Sequence, residues 1–320
     1  MGRVVVLGAS LMDMNLRLDR LPSPGETRLG SGFFSSTGGK GANQAVAARR
    51  AGAEVILLTA FGGDAFGLQM RDKYFGEGID LRHARLVEGE ASGVALIFVG
   101  EDGENLIGVA MGPNARLSPE FIDGLPDEVF AAPGVFLASL EVPIETALRA
   151  IARAKAAGMT VLVNPAPAHP ALVESDALRL VDVLTPNVSE ARQLGGLGEG
   201  EGEEVEAGRR AADRLFELGL AHAIVTLGSG GCLVASASKP GVGPTRIEAH
   251  AVEAVDTVGA GDAFNGALAA ALSEGLGLVA AARRANAAAA IAVTRPGAQG
   301  ALPSRLEIDR MVGSPAPPPP

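Results

Sequence analysis

Val135-Phe136-Leu137-Ala138 and Thr160-Val161-Leu162-Val163 are two short apolar, β-rich runs separated by the amphipathic segment 144–157 and the turn residue Gly158. Strand, helix, strand is the reading that follows, and two strands joined by a helical crossover lie parallel in one sheet. The same rhythm extends outward in both directions. Further strands are predicted at 4–7, 55–58, 182–184, 223–227 and 232–235. Helices are predicted at 41–51, 66–76, 188–195, 205–218, 262–274 and 278–293, several followed by a glycine suited to the helix C-terminus. The fold class is therefore α/β, three layers with a central, mostly parallel sheet between helices.

Two stretches break this rhythm, since they alternate with period two and have no helix between their halves. One is Met12-Asp13-Met14-Asn15-Leu16-Arg17-Leu18, resumed after Pro22-Ser23-Pro24-Gly25 at 26–34. The other is Val94-Ala95-Leu96-Ile97-Phe98, resumed after Glu101-Asp102-Gly103-Glu104 at 106–109. Both read as hairpins of a small antiparallel sheet, from about 10–36 and 93–110, projecting from the main body. Its apolar residues Leu16, Leu18, Leu96 and Phe98 need cover, which makes the sheet a lid, a dimer surface, or both. Residues 1–313 are expected to form a single domain with no dividing linker. The segment 195–206 reads as a solvated loop, and 314–320 as a disordered, proline-rich tail.

Of the 320 residues 47% are hydrophobic, enough for a large core. Twenty-seven basic and 37 acidic residues give a net charge of −10, which argues against a general nucleic-acid or anionic-membrane partner. Cys232 is the only cysteine, so no intrachain disulfide forms, and Leu233 and Val234 beside it suggest a buried strand thiol. No run approaches the ~20 apolar residues of a membrane span, and the N-terminal apolar run is too short for a signal peptide. A cytoplasmic protein is expected. Only four lysines occur, Lys40, Lys73, Lys155 and Lys239, so a lysine within a glycine-rich loop stands out.

Lys40 is that lysine, in Gly38-Gly39-Lys40-Gly41-Ala42-Asn43-Gln44. The glycines allow close backbone approach to a polyhydroxylated ligand, while Lys40 and Asn43 supply donors. Alone, the stretch reads equally as a helix start with a solvated lysine, and it is not a P-loop. A second glycine-rich stretch is Asp256-Thr257-Val258-Gly259-Ala260-Gly261-Asp262-Ala263-Phe264-Asn265-Gly266. Small residues ahead of an Ala-rich helix leave amides free to face an anion. Asp262 is then either a helix N-cap or a carboxylate base beside an anion-stabilising nest, the pairing that phosphoryl transfer to an alcohol needs. Gly8-Ala9-Ser10 lacks the dinucleotide fingerprint, which disfavours a nicotinamide-dependent oxidoreductase.

Together and in this order, the two stretches resemble the paired signatures of the PfkB, or ribokinase-like, family of carbohydrate kinases. Matching stretches include Leu21-Pro22-Ser23-Pro24-Gly25-Glu26-Thr27, Ser92-Gly93-Val94-Ala95-Leu96, Asn164-Pro165-Ala166-Pro167-Ala168, Thr185-Pro186-Asn187 and Thr226-Leu227-Gly228-Ser229-Gly230-Gly231. The resemblance spans all but the tail and implies ATP-dependent phosphorylation of a sugar's primary hydroxyl, with D-ribose as the expected acceptor. It implies that Asp262 is the catalytic base and that the amides of Gly259, Ala260 and Gly261 receive the developing charge. Asn187 and Glu190 would serve Mg²⁺ and the phosphates, Thr226 to Gly231 would underlie ATP, and Asn286 matches a position near adenine. Leu11, Asp13, Gly38, Gly39, Lys40, Gly41, Asn43 and Glu141 match the sugar pocket, completed by Asp262. Asp256, Val258, Ala292, Arg295, Gly297 and Ala301 match a site for a monovalent cation, expected to be K⁺. The family also implies a homodimer formed through the small sheet.

The chain departs from the family pattern at Leu11, where a sugar-bonding Asn is usual, at Ala9 and at Ala301, where Ser is common. A more apolar pocket wall suits a less hydroxylated acceptor, so another furanose, a ketose or a nucleoside stays open. A slip of the first strand would instead bring Ser10 to the pocket. A non-catalytic sugar or nucleotide sensor is the reading of another class, and Asp262 is what separates it from a kinase.

Overall fold

The computed structural model describes residues 2–198, 204–238 and 243–313. The proline-rich tail, and residues 199–203 of the expected 195–206 loop, lie outside the described residues. In chain order the elements are β1 (Arg3–Leu7), β2 (Leu11–Arg17), β3 (Gly32–Gly38), α1 (Lys40–Arg50), β4 (Glu54–Leu58), β5 (Ala60–Gly62), α2 (Ala65–Gly76), β6 (Arg85–Val87), β7 (Val94–Val99) and β8 (Asn105–Ala110). The chain continues through α3 (Pro119–Asp123), β9 (Val135–Ser139), α4 (Ile144–Ala156), β10 (Thr160–Asn164), α5 (Ala171–Glu174), β11 (Val183–Leu184), α6 (Val188–Leu194) and α7 (Glu204–Glu217). Last come β12 (His222–Thr226), β13 (Cys232–Ser236), β14 (Thr245–Ile247), α8 (Ala260–Ser273), α9 (Leu278–Ala292) and α10 (Arg305–Gly313).

Eight strands form the main sheet in the order β14-β13-β12-β11-β10-β9-β1-β4, parallel except where β13 pairs antiparallel with β12 and β14. The alternation of strand residues sorts the core into two layers. Val4, Val6, Val135, Leu137 and Leu162 pack on the side of α1, α8 and α9, whereas Val5, Leu7, Phe136, Ala138, Val161 and Val163 pack on the side of α4, α6 and α7. Both faces are thus covered, which is why these strands carry almost uninterrupted apolar sequence. Cys232 is buried in β13 and its thiol is pushed up to about 12 by that burial. No described helix is long and apolar enough to cross a membrane.

The small sheet has the order β3-β2-β7-β8. β2 with β3 and β7 with β8 are antiparallel hairpins, and they join along a parallel seam between β2 and β7. The strand expected at 26–34 lies later, at 32–38, because Leu11 pairs with Gly38 and Arg17 with Gly32. Residues just before it are held instead by side chains, Arg20 bonding Glu26 and Arg28 bonding Asp19. Leu18 falls beyond β2 and is buried, so it does not belong to the exposed apolar face. On that face Phe33, Leu16, Phe98 and Leu106 form one row across the four strands, and Phe34, Asn15, Ile97 and Ile107 form a row on the other. The second face is also the one that carries Asp13.

Candidate active site

Polar residues gather where the parallel strands of the main sheet end at their C-termini, beneath the root of the small sheet. Asp262 is the centre of this group. It occupies the third position of α8 and does not cap that helix, because Gly259, in the left-handed region at φ 78°, takes the N-cap position. The Asp262 side chain turns toward α1. Asn43 Nδ2 donates to its Oδ2 at 2.9 Å and Gln44 Nε2 to its Oδ1 at 3.0 Å. Tight packing makes this reach possible, since a Cβ on Gly266 would collide with Ala47 and with the backbone of Gln44. Asp262 is 8% exposed, and burial raises its carboxyl above the usual range against the opposing pull of Lys40, Asn43 and Gln44.

Asp13, Lys40 and Glu141 surround it. Lys40 opens α1; its amide donates to Glu141 Oε2 at 2.8 Å and its ammonium stands 3.5 Å from Glu141 Oε1. Burial pulls the Lys40 ammonium down, but the charges of Glu141 and Asp262 outweigh it and leave the group above its ordinary value. Asp13, on β2, is pushed up to about 7 by burial and by the charges of Glu141 and Asp262. Gly38 makes room for it, as a Cβ there would fall on the Asp13 carboxylate. Gly39 passes against the backbone of Ala9 and Leu11, and Gly41 against Gly8. Three carboxylates around one lysine offer several charge-assisted acceptors for hydroxyls.

Leu11 is buried on the Asp13 face of β2, paired with Gly38. The strand has not slipped to bring Ser10 into its place. The Ser10 side chain is buried with Thr59, whose Oγ1 bonds it at 3.0 Å, and its backbone is held by Asn114 on both N and O.

The other glycine-rich turns lie along the same strand ends. Asn187 and Glu190 form a reciprocal capping box at the start of α6, which is the helix-capping reading of this pair. Burial raises the Glu190 carboxyl. Asn187 makes a parallel bridge with Thr226, which sets the α6 start beside the 226–231 turn. Within that turn, Leu227 is buried, Gly228 and Ser229 are exposed, and Gly230 bonds back to Leu227. Gly231 has φ 83° and its missing Cβ would fall on the Ile247 carbonyl. Asn286, buried in α9, donates to the Glu248 carbonyl at 2.8 Å and so ties α9 to the segment after β14.

Asp256 joins the two loops that flank α8 and α9. Its Oδ1 accepts from the Val258 amide at 3.0 Å and its Oδ2 from the Gly297 amide at 2.8 Å. Arg295 closes the α9 end by donating its amide to Ala292 O, and Ala301 is fully buried one turn later. Both Asp256 carboxylate oxygens are thus bonded to backbone amides of the two loops.

Several buried polar residues in the site were not singled out from the sequence. Gln44 donates to Asn164 as well as to Asp262. Gln299 accepts from Thr37, donates to Asn43 Oδ1 at 3.0 Å and reaches the hydroxyl of the fully buried Tyr74. Gln44 and Asn164 fall within quoted stretches without a role assigned to them, and Gln299 had no signal beyond its polarity in a small-residue segment.

A family model described as pfkB family carbohydrate kinase matches residues 1–305. The ribokinase of Haemophilus influenzae is 37% identical over 304 residues, covering 95% of this chain and 96% of its own length. The deoxyribokinase of Salmonella typhi is 36% identical over 301 residues, with coverage of 94% and 95%. Among solved structures, Arabidopsis thaliana ribokinase complexed with ribose and ATP matches with a TM-score of 0.87 at 29% identity, over 98% of this chain and 99% of that one.

Proposed function

The chain belongs to the pfkB family of carbohydrate kinases, and from that premise we propose that it transfers the γ-phosphoryl group of ATP to the primary hydroxyl of D-ribose, giving D-ribose 5-phosphate. One observation carries the reading. Asp262 is a buried carboxylate held by two amide side chains, placed one residue after the glycine-rich helix start and among Asp13, Lys40 and Glu141.

In this reading Asp262 accepts the hydroxyl proton as the alkoxide oxygen attacks phosphorus, and the amides of Gly259, Ala260 and Gly261 bond the transferring group. Burial raises its pKa, which makes it a stronger base than an exposed carboxylate. Asp13, Gly38, Gly39, Lys40, Gly41, Asn43 and Glu141 hold the sugar, with Leu11 as an apolar wall. Thr226 to Gly231 lie under the nucleotide and Asn286 fixes the backbone beside it. Glu190 and Asn187 would hold Mg²⁺, which supplies charge neutralisation at the phosphates when bound. Asp256, with carbonyls of Val258, Ala292, Arg295 and Gly297 and with Ala301 behind them, would hold K⁺ and steady the Gly259–Gly261 loop.

The small sheet acts as a lid whose Asp13 face closes on the sugar, excluding water as a competing acceptor. Two such sheets pair in a homodimer, supported by Phe33 and Leu106, each more than half exposed on the face away from Asp13. A sedimentation measurement finding only monomer at micromolar concentration would overturn the dimer. The lone buried cysteine accords with a cytoplasmic location.

Leu11 favours a second acceptor, a pentose lacking a hydroxyl, as the deoxyribokinase relative suggests. Steady-state rates with ATP, Mg²⁺ and a sugar panel decide between them. Ribose should give the highest kcat/KM among fully hydroxylated sugars, and much faster turnover of another sugar would displace it. Leu11→Asn should raise the ribose to 2-deoxyribose ratio by about tenfold, the value of one buried hydrogen bond.

A further inference from the structure

A closed ring of buried polar side chains runs behind Asp262, and apart from the bond of Gln44 to that carboxylate nothing in the phosphoryl-transfer scheme above uses it. Gln44 Nε2 donates to Asp262 Oδ1 at 3.0 Å and to Asn164 Oδ1 at 2.9 Å. Asn164 Nδ2 donates to the Thr185 carbonyl at 3.1 Å, the Thr185 hydroxyl donates to Asn265 Oδ1, and Asn265 Nδ2 donates to the Gly261 carbonyl at 2.8 Å. Gly261 and Asp262 are adjacent, so the chain of bonds returns to its start. Gln44, Asn164, Thr185 and Asn265 are each no more than 7% exposed.

The orientation of Gln44 is what points beyond packing. Both Nε2 protons are committed, so the amide cannot turn, and Gln44 Oε1 is left buried with no partner in the structure. An orphaned buried oxygen costs about as much as a lost hydrogen bond, and a glutamine kept purely for packing would be replaced by an apolar side chain at no such cost. The penalty is tolerated where both donors are needed, one on the carboxylate and one on the ring that reaches the Gly261 backbone.

We propose that Gln44 is a positioning residue for the phosphoryl-transfer step. It holds the Asp262 carboxylate ionised and aimed at the sugar hydroxyl, and through Asn164, Thr185 and Asn265 it keeps that carboxylate in register with the Gly259–Gly261 amides. The inference rests on the reading of Asp262 as the base. Asn43 bonds the other carboxylate oxygen but also lies in the sugar pocket, so Gln44 is the partner whose loss leaves sugar contacts alone. The charged groups around Asp262 are Asp13 from β2, Lys40 from α1 and Glu141 after β9, with Glu190 beyond Lys40. None of these is altered by a change at Gln44. A bond donated to the charged carboxylate lowers its pKa, so removing Gln44 raises it.

The test is Gln44→Met, which keeps the volume and removes both donors and the orphaned oxygen. The expected result is a folded protein whose kcat falls by about 10- to 100-fold near pH 7, the value of a hydrogen bond to a charged group. KM for sugar and ATP stay close to wild type, and the acid limb of the kcat profile moves up by about one pH unit, so the deficit shrinks at alkaline pH. A pH-independent loss, or wild-type kcat, overturns the proposal. Gln44→Glu is the second variant if the first fails to fold; its added negative charge moves the acid limb upward more strongly, and an unmoved limb is equally fatal. Asp262→Asn is the control. If it is inactive while Gln44→Met is wild-type, the positioning role alone falls; if it turns over normally, the base reading falls first.

Discussion

The two halves of the site do their work with different parts of the chain. On the proposed assignment the sugar side is made of side chains, Asp13, Lys40, Asn43, Glu141 and Asp262 from four separate regions, with Lys40 bonded to Glu141 and Asn43 to Asp262. The phosphate side is made of backbone, the turns at Gly228–Gly231 and Gly259–Gly261, with few side chains between them. The contrast follows from the ligands. Hydroxyls are small, neutral and directional, and are distinguished by acceptors of fixed position. Phosphates are highly charged and nearly symmetric, so several amides at a helix start serve them regardless of sequence. The first half is consequently sensitive to the loss of a functional group as well as to the gain of a methyl, whereas the second, having few side chains, is sensitive chiefly to the gain of a methyl where the backbone is crowded, as at Gly231.

The largest expected effect removes the group that joins the halves. Asp262→Asn keeps the size but not the basicity, and exchanges one of the two acceptors that Asn43 and Gln44 bond for a donor; kcat should drop on the order of 10³-fold with little change in sugar or ATP affinity. Unchanged turnover in a steady-state assay would remove the base assignment. Next come paired glycine substitutions. Gly231→Ala places a methyl on the Ile247 carbonyl in a left-handed backbone, and it should raise the KM for ATP by at least about tenfold while sparing that for sugar. Gly38→Ala places one on the Asp13 carboxylate and should do the reverse. Parallel changes in both constants for both variants would mean that the halves are not separate.

The smallest effect concerns charge. Asp13 is held near 7 when folded, well above the unfolded carboxyl, so the native state retains the proton longer than the unfolded chain does. Its contribution to stability is therefore most favourable at about pH 4 and below and is lost as pH rises through about 7. Asp13→Asn should raise Tm by a few degrees at pH 8 and by less at pH 5, with weaker sugar binding at both. A Tm gain of equal size at both pH values, measured by scanning calorimetry, would show that the Asp13 charge is not under strain.

Much of this was legible along the chain. Seven of the eight main-sheet strands begin and end within a residue or two of their expected place, because a strand covered on both faces needs an unbroken apolar run, and such a run is visible locally; the short edge strand β14 has no such run and was not expected. The two glycine-rich stretches were visible for a related reason, since small residues before a helix are a local pattern. The small sheet was less legible. Its alternation was clear, but the register of β3 and the parallel β2–β7 seam depend on which strand finds which, and period two alone does not specify that. Leu18 looked like one more exposed position and is buried past the end of β2.

The bonds that hold the site were not legible, although four of the five residues that make them lie within the quoted stretches. Gln44, Asn164, Thr185, Asn265 and Gln299 are polar residues scattered over some 250 positions, and no spacing rule relates them. By itself the sequence determined the layers, the glycine-rich helix starts, the family, and the presence of a carboxylate beside an anion nest, all properties encoded in contiguous residues. Tertiary structure decided that Asp262 turns away from its own helix end toward α1, that Leu11 and not Ser10 pairs with Gly38 on the Asp13 face, and that Gln44 keeps an unpaired oxygen while bonding both Asp262 and Asn164. Those outcomes depend on burial and on partners distant in sequence. A buried polar group must find its bonds wherever the packed helices bring donors and acceptors together.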